Sequence, residues 1–226
     1  MPELPEVEFN RNELERLFLG QTISQVIYPV GFDEIVMKEA ICAETLTQAL
    51  KGRRLESVKR KGKQMYFEMS GKGSKRVLWH MGMTGAIVIH GEQVPSYKAF
   101  KVDADEWPPR FCKVELVFDN SGGRVAFCDP RRLGRIKVRS ENETALELAK
   151  LGADPLLEVI TGHYIRSKLR RNAPIKSILL DQEKVVCGVG NWVADGNPDP
   201  DPDPDPDPDP DPDPDPDPNP KPKPNR

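Results

Sequence analysis

Near the start of the chain, apolar residues recur at helical spacing, with Val7, Leu14, Leu17 and Phe18 on one stripe. Pro2 and Pro5, followed by Glu6 and Glu8, suit a first helical turn. Proline there lacks only a donor that the turn leaves unpaired, and acids favour the positive end of the helix dipole. Gly20 is a natural stop. Beyond it the period shortens. The runs 22–28, 56–69, 76–80, 86–90, 113–118, 124–127 and 135–138 predict strands, punctuated by Gly71, Gly73, Gly91 and Ser121-Gly122-Gly123. Many short strands in succession predict an antiparallel sandwich or barrel. After Ser140 helical spacing returns over 143–151, 162–171 and 175–181. The expected fold class is therefore α+β. An N-terminal β-sandwich with a flanking helix occupies residues 1–140, and a partial helical domain occupies 141–196.

This patterning stops at Gly196. Proline fills every even position from 198 to 224, and ten Asp fill most places between. Alternate proline removes every second backbone donor, and no apolar side chain is present to offset the entropy of ordering. Residues 197–226 are expected to form a disordered, polyproline-II-like tail. Asp charges would recur every ~6 Å along it, so it could also imitate a nucleic acid and compete for a basic face.

The tail changes the meaning of the net charge. Its ten Asp against Lys221, Lys223 and Arg226 give −7, so the whole-chain value of −3 leaves +4 on the remainder. Cations gather there in three clusters: Arg53 to Lys63, Arg131 to Arg139, and Arg166 to Arg171. One such cluster is usually a solvated face. Three in one small basic body point to a polyanionic partner. Cys42, Cys112, Cys128 and Cys187 are widely spaced with no C-x-x-C pair, which argues against structural zinc and gives no disulfide framework. Reduced intracellular thiols are the default. The opening MPELPEVE is no signal peptide, and no apolar run approaches a membrane span.

Pro2 carries the first candidate chemistry. Once Met1 is removed, the chain begins with a secondary amine, and α-amino groups titrate near about 8, so a useful fraction is neutral. A neutral secondary amine attacks an aldehyde-like carbon and forms an iminium. Glu3 and Glu6 stand beside it as proton carriers. The plain alternative is a helix start and nothing more.

Whole motifs shift that balance. "PELPEVE" resembles the N-terminus of the formamidopyrimidine-DNA glycosylase family, bifunctional repair enzymes that remove oxidised purines. "RKGKQMYFEM", "HMGMTG", "DPRRLG" and "LLDQEKVVCGVGNWVAD" resemble further family motifs in the same order, and the likeness spans residues 2 to 195. The resemblance implies that Pro2 attacks C1′ of the damaged nucleotide, with Glu3 as proton donor and Glu6 supporting it. Lys63 falls on the family's catalytic lysine, placed on a strand. Met83 falls on the methionine that fills the hole left by a flipped base, a step costing a few kcal/mol. Arg131 falls on the arginine that meets the widowed base, and Leu133 on a wedge position where bacterial members typically have phenylalanine. Asn191 and Arg171 fall on phosphate-binding positions. Taken without the resemblance, Lys63 is one more cation, Met83 a core methionine and Asn191 a helix cap.

The resemblance implies damaged double-stranded DNA as partner, a monomer, DNA-formamidopyrimidine glycosylase activity and class I AP lyase activity. The location implied is intracellular: the nucleus in a eukaryote, otherwise the cytoplasm. It also implies more helices and a DNA-binding hairpin, often a four-cysteine zinc finger, after the segment ending at Asp195. Those motifs and zinc-finger cysteines are absent from this sequence, so no cofactor is expected, and residues 155–195 are expected to pack poorly and bind DNA weakly. A truncated, catalytically dead DNA-binding fragment is the competing expectation.

Overall fold

The computed structural model describes residues 2–92, 106–119, 121–169 and 174–196. The acidic tail at 197–226 and Arg171 lie outside the described residues. Helix α1 spans Leu4–Phe18 and buries Leu4, Val7, Asn10, Leu14 and Phe18, close to the stripe expected from the spacing. Strand β1 is Ile23–Ile27, and a 3₁₀ turn at Lys38–Ala40 leads to helix α2, Ala43–Leu50. The sequence pattern did not predict α2. It is two turns long and its N-cap is Cys42, which makes no side-chain cap bond, so the usual start signal is missing. Tertiary burial of Leu46, Ala49 and Leu50 holds it.

The run 56–69, expected as one strand, is a hairpin. Strands β2 (Leu55–Lys61) and β3 (Gln64–Met69) pair antiparallel with Lys61 opposite Gln64. Gly62 and Lys63 make the turn, and Gly62 takes φ +56°, which favours glycine. Strands β4 (Arg76–His80), β5 (Ala86–Ile89), β6 (Cys112–Phe118), β7 (Arg124–Cys128) and β8 (Arg135–Arg139) follow. They form two four-stranded sheets, ordered β1-β6-β7-β5 and β2-β3-β4-β8, with every strand pairing antiparallel. One core lies between them. Leu116, Phe118, Val125 and Phe127 from the first sheet join Met65, Phe67, Trp79 and Ile136 from the second, with α1 and α2 contributing Leu14, Phe18, Leu46 and Leu50. The sandwich and its flanking helix match the expected α+β class.

Four helices follow the sandwich in the described residues: α3 (Glu141–Ala149), α4 (Gly162–Lys168), α5 (Ile175–Leu180) and α6 (Asn191–Asp195). Ser140 caps α3 with a capping box to Glu143. The expected poor packing over 155–195 holds for only part of that stretch. Leu156, Leu157, Val159 and Ile175 are more than half exposed. Residues 185–190, by contrast, are buried throughout, and Val185, Val186 and Val189 form a second core with Ile178. The valines are buried among Ile160, Tyr164, Leu169 and Val193 of the helical segment, whereas Cys187, Gly188 and Gly190 lie against Gly62, Leu4 and Glu3, contacts no local pattern encodes.

Candidate active site

Glu3 is fully buried, at 0% exposure. Its carboxylate accepts the backbone N–H groups of Gly190 at 2.8 Å and of Trp192 and Val193 at 3.2 Å. A carboxylate is favoured at the positive end of a helix, so residue 3 and the start of α6 stabilise each other. A Cβ on Gly190 would stand 2.1 Å from Glu3 Oε1, so only glycine allows this approach. Glu6 accepts the Glu3 N–H at 2.9 Å, as a capping box does, and fixes the backbone at the start of α1. The Leu4 N–H donates to Gly188 O at 3.2 Å. Pro2, buried, is thereby held at one fixed place in the fold.

Lys63 arrives from the other side. It sits in the β2–β3 turn, not on a strand as expected, and its Nζ donates to Val189 O at 3.0 Å, one residue before the amide that Glu3 holds. Burial pushes the Lys63 ammonium below the ordinary lysine range, while Glu3 and Cys187 pull it back. Such a group gives up its proton more readily than a surface lysine. The turn is pinned by Asp154, itself fully buried, which accepts the Gly62 N–H at 2.7 Å and pairs with Arg60. A Cβ on Gly62 would meet Cys187 Cβ at 2.9 Å. Val189 O also accepts from Gln182 Nε2 at 2.9 Å, and Gln182 Oε1 accepts the Gly188 N–H. Residues far apart in sequence thus meet: Glu3, Lys63 and the 188–193 segment.

His80 belongs to this neighbourhood and was not singled out from the sequence, although it opens the "HMGMTG" motif. Its Nδ1 accepts the Gly82 N–H at 3.1 Å, so the second nitrogen carries the hydrogen. Burial, helped by the charges of Lys63, Lys137 and Arg135, lowers its pKa to about 4. The imidazole is therefore neutral at pH 7.

Met83 and Leu133 lie on two loops that touch. A Cβ on Gly82 would come within 2.5 Å of the Leu133 carbonyl, and Gly82 takes φ +62°. Buried Asp129 ties the loops together: it accepts Thr84 Oγ1 at 2.6 Å, the Arg131 N–H at 3.2 Å and the Gly134 N–H at 2.6 Å. The two adjoining loops each carry an exposed apolar side chain, Met83 at 47% and Leu133 at 38%. Met83 is no core methionine. Arg131 is exposed, whereas its neighbour Arg132 is bound bidentately by Asp33. Burial works against the Asp33 charge, but Arg132, Lys113 and two backbone N–H groups outweigh it and bring its pKa to about 2.

The cation clusters prove less available than their count suggests. Arg60 is buried between Glu8 and Asp154, Lys59 pairs with Glu68, and Lys137 and Arg139 pair with Glu39 and Glu147. Among the described residues Lys63 and Arg131 form no salt bridge. Asn191 is exposed but is not the helix cap; that place is Gly190's, and Glu3 fills the role expected of an asparagine side chain or a phosphate. Among the described residues, no three His, Cys, Asp or Glu side chains converge to hold a metal, and no helix is long and apolar enough to cross a membrane.

Residues 1–136 match the formamidopyrimidine-DNA glycosylase N-terminal domain. A formamidopyrimidine-DNA glycosylase of Arabidopsis thaliana is 34% identical over 197 residues, covering 86% of this chain and 49% of the relative. One from Dinoroseobacter shibae is 36% identical over 194 residues, covering 84% and 64%. A Lactococcus lactis Fpg in complex with DNA containing an abasic site superposes with a TM-score of 0.67 at 28% identity, covering 85% of this chain and 64% of that one. MutM in complex with DNA containing carbocyclic 8-oxo-G gives 0.68 at 28% identity, covering 86% and 67%. The chain spans about half to two thirds of the length of these curated relatives. With the N-terminal domain matched and relatives of 34–36% identity over most of its length, the chain belongs to the formamidopyrimidine-DNA glycosylase family.

Proposed function

We propose that this chain is a base-excision DNA glycosylase and AP lyase acting on oxidised purines in duplex DNA. The observation that carries this reading is the convergence of Glu3, next to Pro2, with Lys63 on the buried 188–193 segment. In the proposed reaction, the neutral amine of Pro2, freed by loss of Met1, attacks C1′ and the base departs with a proton relayed through Glu3. The C1′–O4′ bond then breaks, O4′ taking a proton by way of Glu3, and the iminium so formed acidifies the neighbouring C2′ hydrogen; its loss expels the 3′ phosphate by β-elimination, with Lys63 as the proton carrier. Met83 and Leu133 would fill the vacated stack and Arg131 would meet the base left unpaired. Asn191 and Arg171 are proposed phosphate contacts. The chemistry uses the chain's own amine and calls for no cofactor. It belongs with the genome, in the nucleus of a eukaryote or the cytoplasm of a bacterium.

Borohydride trapping tests this. Protein lacking Met1, mixed with duplex bearing 8-oxoguanine or an abasic site and then reduced, is expected to give a covalent adduct with both, lost in Pro2→Gly. The competing reading is a DNA-binding chain without catalysis. Folded protein that binds the duplex but yields no adduct would establish that reading instead.

A further inference from the structure

Four isolated thiols in the sequence become, in the fold, two isolated thiols and a pair. Cys112 on β6 and Cys128 on β7 are directly opposed Cα partners, at 3% and 0% exposure, with their thiols within hydrogen-bonding reach of each other. The Cys112 N–H donates to Pro109 O, and the Asp129 N–H, one residue beyond Cys128, donates to Phe111 O, each at 3.1 Å. That pattern marks 112 and 128 as a non-hydrogen-bonded pair of the antiparallel ladder. Opposed Cα atoms at such positions are about 4.5 Å apart, inside the range a disulfide spans without backbone movement. A register shift between Cys112 and Val114 goes with the pair's placement outside the main core. It packs instead with Val88 and Ala126 in a small separate cluster roofed by half-buried Trp107.

We propose that Cys112 and Cys128 are a redox-modification site that closes to a cross-strand disulfide under peroxide. One thiolate attacks the peroxide, the O–O bond breaks, and a sulfenic acid and hydroxide form. The facing thiol then displaces water from that sulfenic acid, so the two sulfurs give up two electrons in all and the peroxide leaves as two waters. The hydrogen bond with Cys112, together with burial, pushes the Cys128 thiol up, so closure accelerates as pH rises into the alkaline range. Cys128 adjoins Asp129, whose carboxylate organises the Met83 and Leu133 loops. A closed bridge would therefore clamp the root of both loops to β6.

The test uses the full chain and does not depend on the proposed reaction. Folded protein is treated with hydrogen peroxide at neutral and at mildly alkaline pH, then denatured and alkylated, and its peptides are read by mass spectrometry. The expected result is one linkage between the Cys112 and Cys128 peptides, lighter by two hydrogens and formed faster at the higher pH. Cys42 and Cys187 should remain open to alkylation. The linkage should raise Tm by roughly 5–10 °C, reversibly with dithiothreitol, and Cys128→Ala should abolish the rise. Full alkylation of both residues after peroxide, or their conversion to sulfinic acids without a linkage, would overturn the proposal.

Discussion

At the scale of single residues, His80 sets an acid-side signature. Its folded pKa is about 4 against an ordinary value of 6.5, so between those values the unfolded chain binds the proton and the folded one does not. Stability from this group is fully present above pH 6.5 and is lost as pH falls towards 4, up to about 3 kcal/mol. Urea titrations from pH 7 to 4 are expected to show a steeper loss in the native protein than in His80→Gln. Such a residue was hard to single out beforehand. A lone histidine at the end of a strand carries no periodic signal, and its neutrality depends on burial and on Lys63, Lys137 and Arg135. Glu3, Lys63, Met83 and Arg131 were easier, because motif order marks them. What the motif could not reveal is that Glu3 is the N-terminal anchor of α6, a contact across nearly the whole described chain.

Glycines decide matters at the scale of elements. Gly62→Ala would force a side chain into a left-handed turn and against Cys187, at a cost of about 2–3 kcal/mol. Chemical denaturation should show that loss, and borohydride trapping should fall more than stability does, because the same turn carries Lys63. Asp129→Ala would leave the Thr84 hydroxyl and two buried or half-buried N–H groups without their acceptor, for about 3 kcal/mol. Hydrogen exchange is expected to speed up in both the 81–85 and the 129–134 loops, since one carboxylate holds both. Strands β3 and β8 were legible because burial alternates along them, and β4 to β7 because they are short apolar runs bounded by turn residues. The turn dividing 56–69 was not, since charged residues on both sides mask it and only Gly62 breaks the run.

Across the whole molecule, counting cations overstated the basic face. Arg60, Lys59, Lys137 and Arg139 are committed to carboxylates within the protein. Among the described residues few of the clustered cations remain for phosphates, chiefly Lys63, Arg131 and Arg135; Lys61 stands 4.0 Å from the Glu158 carboxylate. A plot of log affinity for duplex DNA against log salt should therefore be shallow, with a slope of about −3 to −4. A slope near −8 would show that the internal pairs open on binding. Sequence shows charge but not its partners, so this error arises wherever acids and bases are distant in the chain.

The burial of Glu3 against residues 190–193 also orders events during synthesis. A ribosome adding about 5–20 residues per second needs roughly ten to forty seconds after residue 3 to deliver its partners. Throughout that interval the first residues wait exposed on an unfinished chain, open to the enzymes that trim initiator methionine. Once α6 emerges and docks, Pro2 is enclosed. A chain that folds before it is trimmed would keep its amine blocked, so the yield of competent protein is set by a race between processing and the arrival of α6.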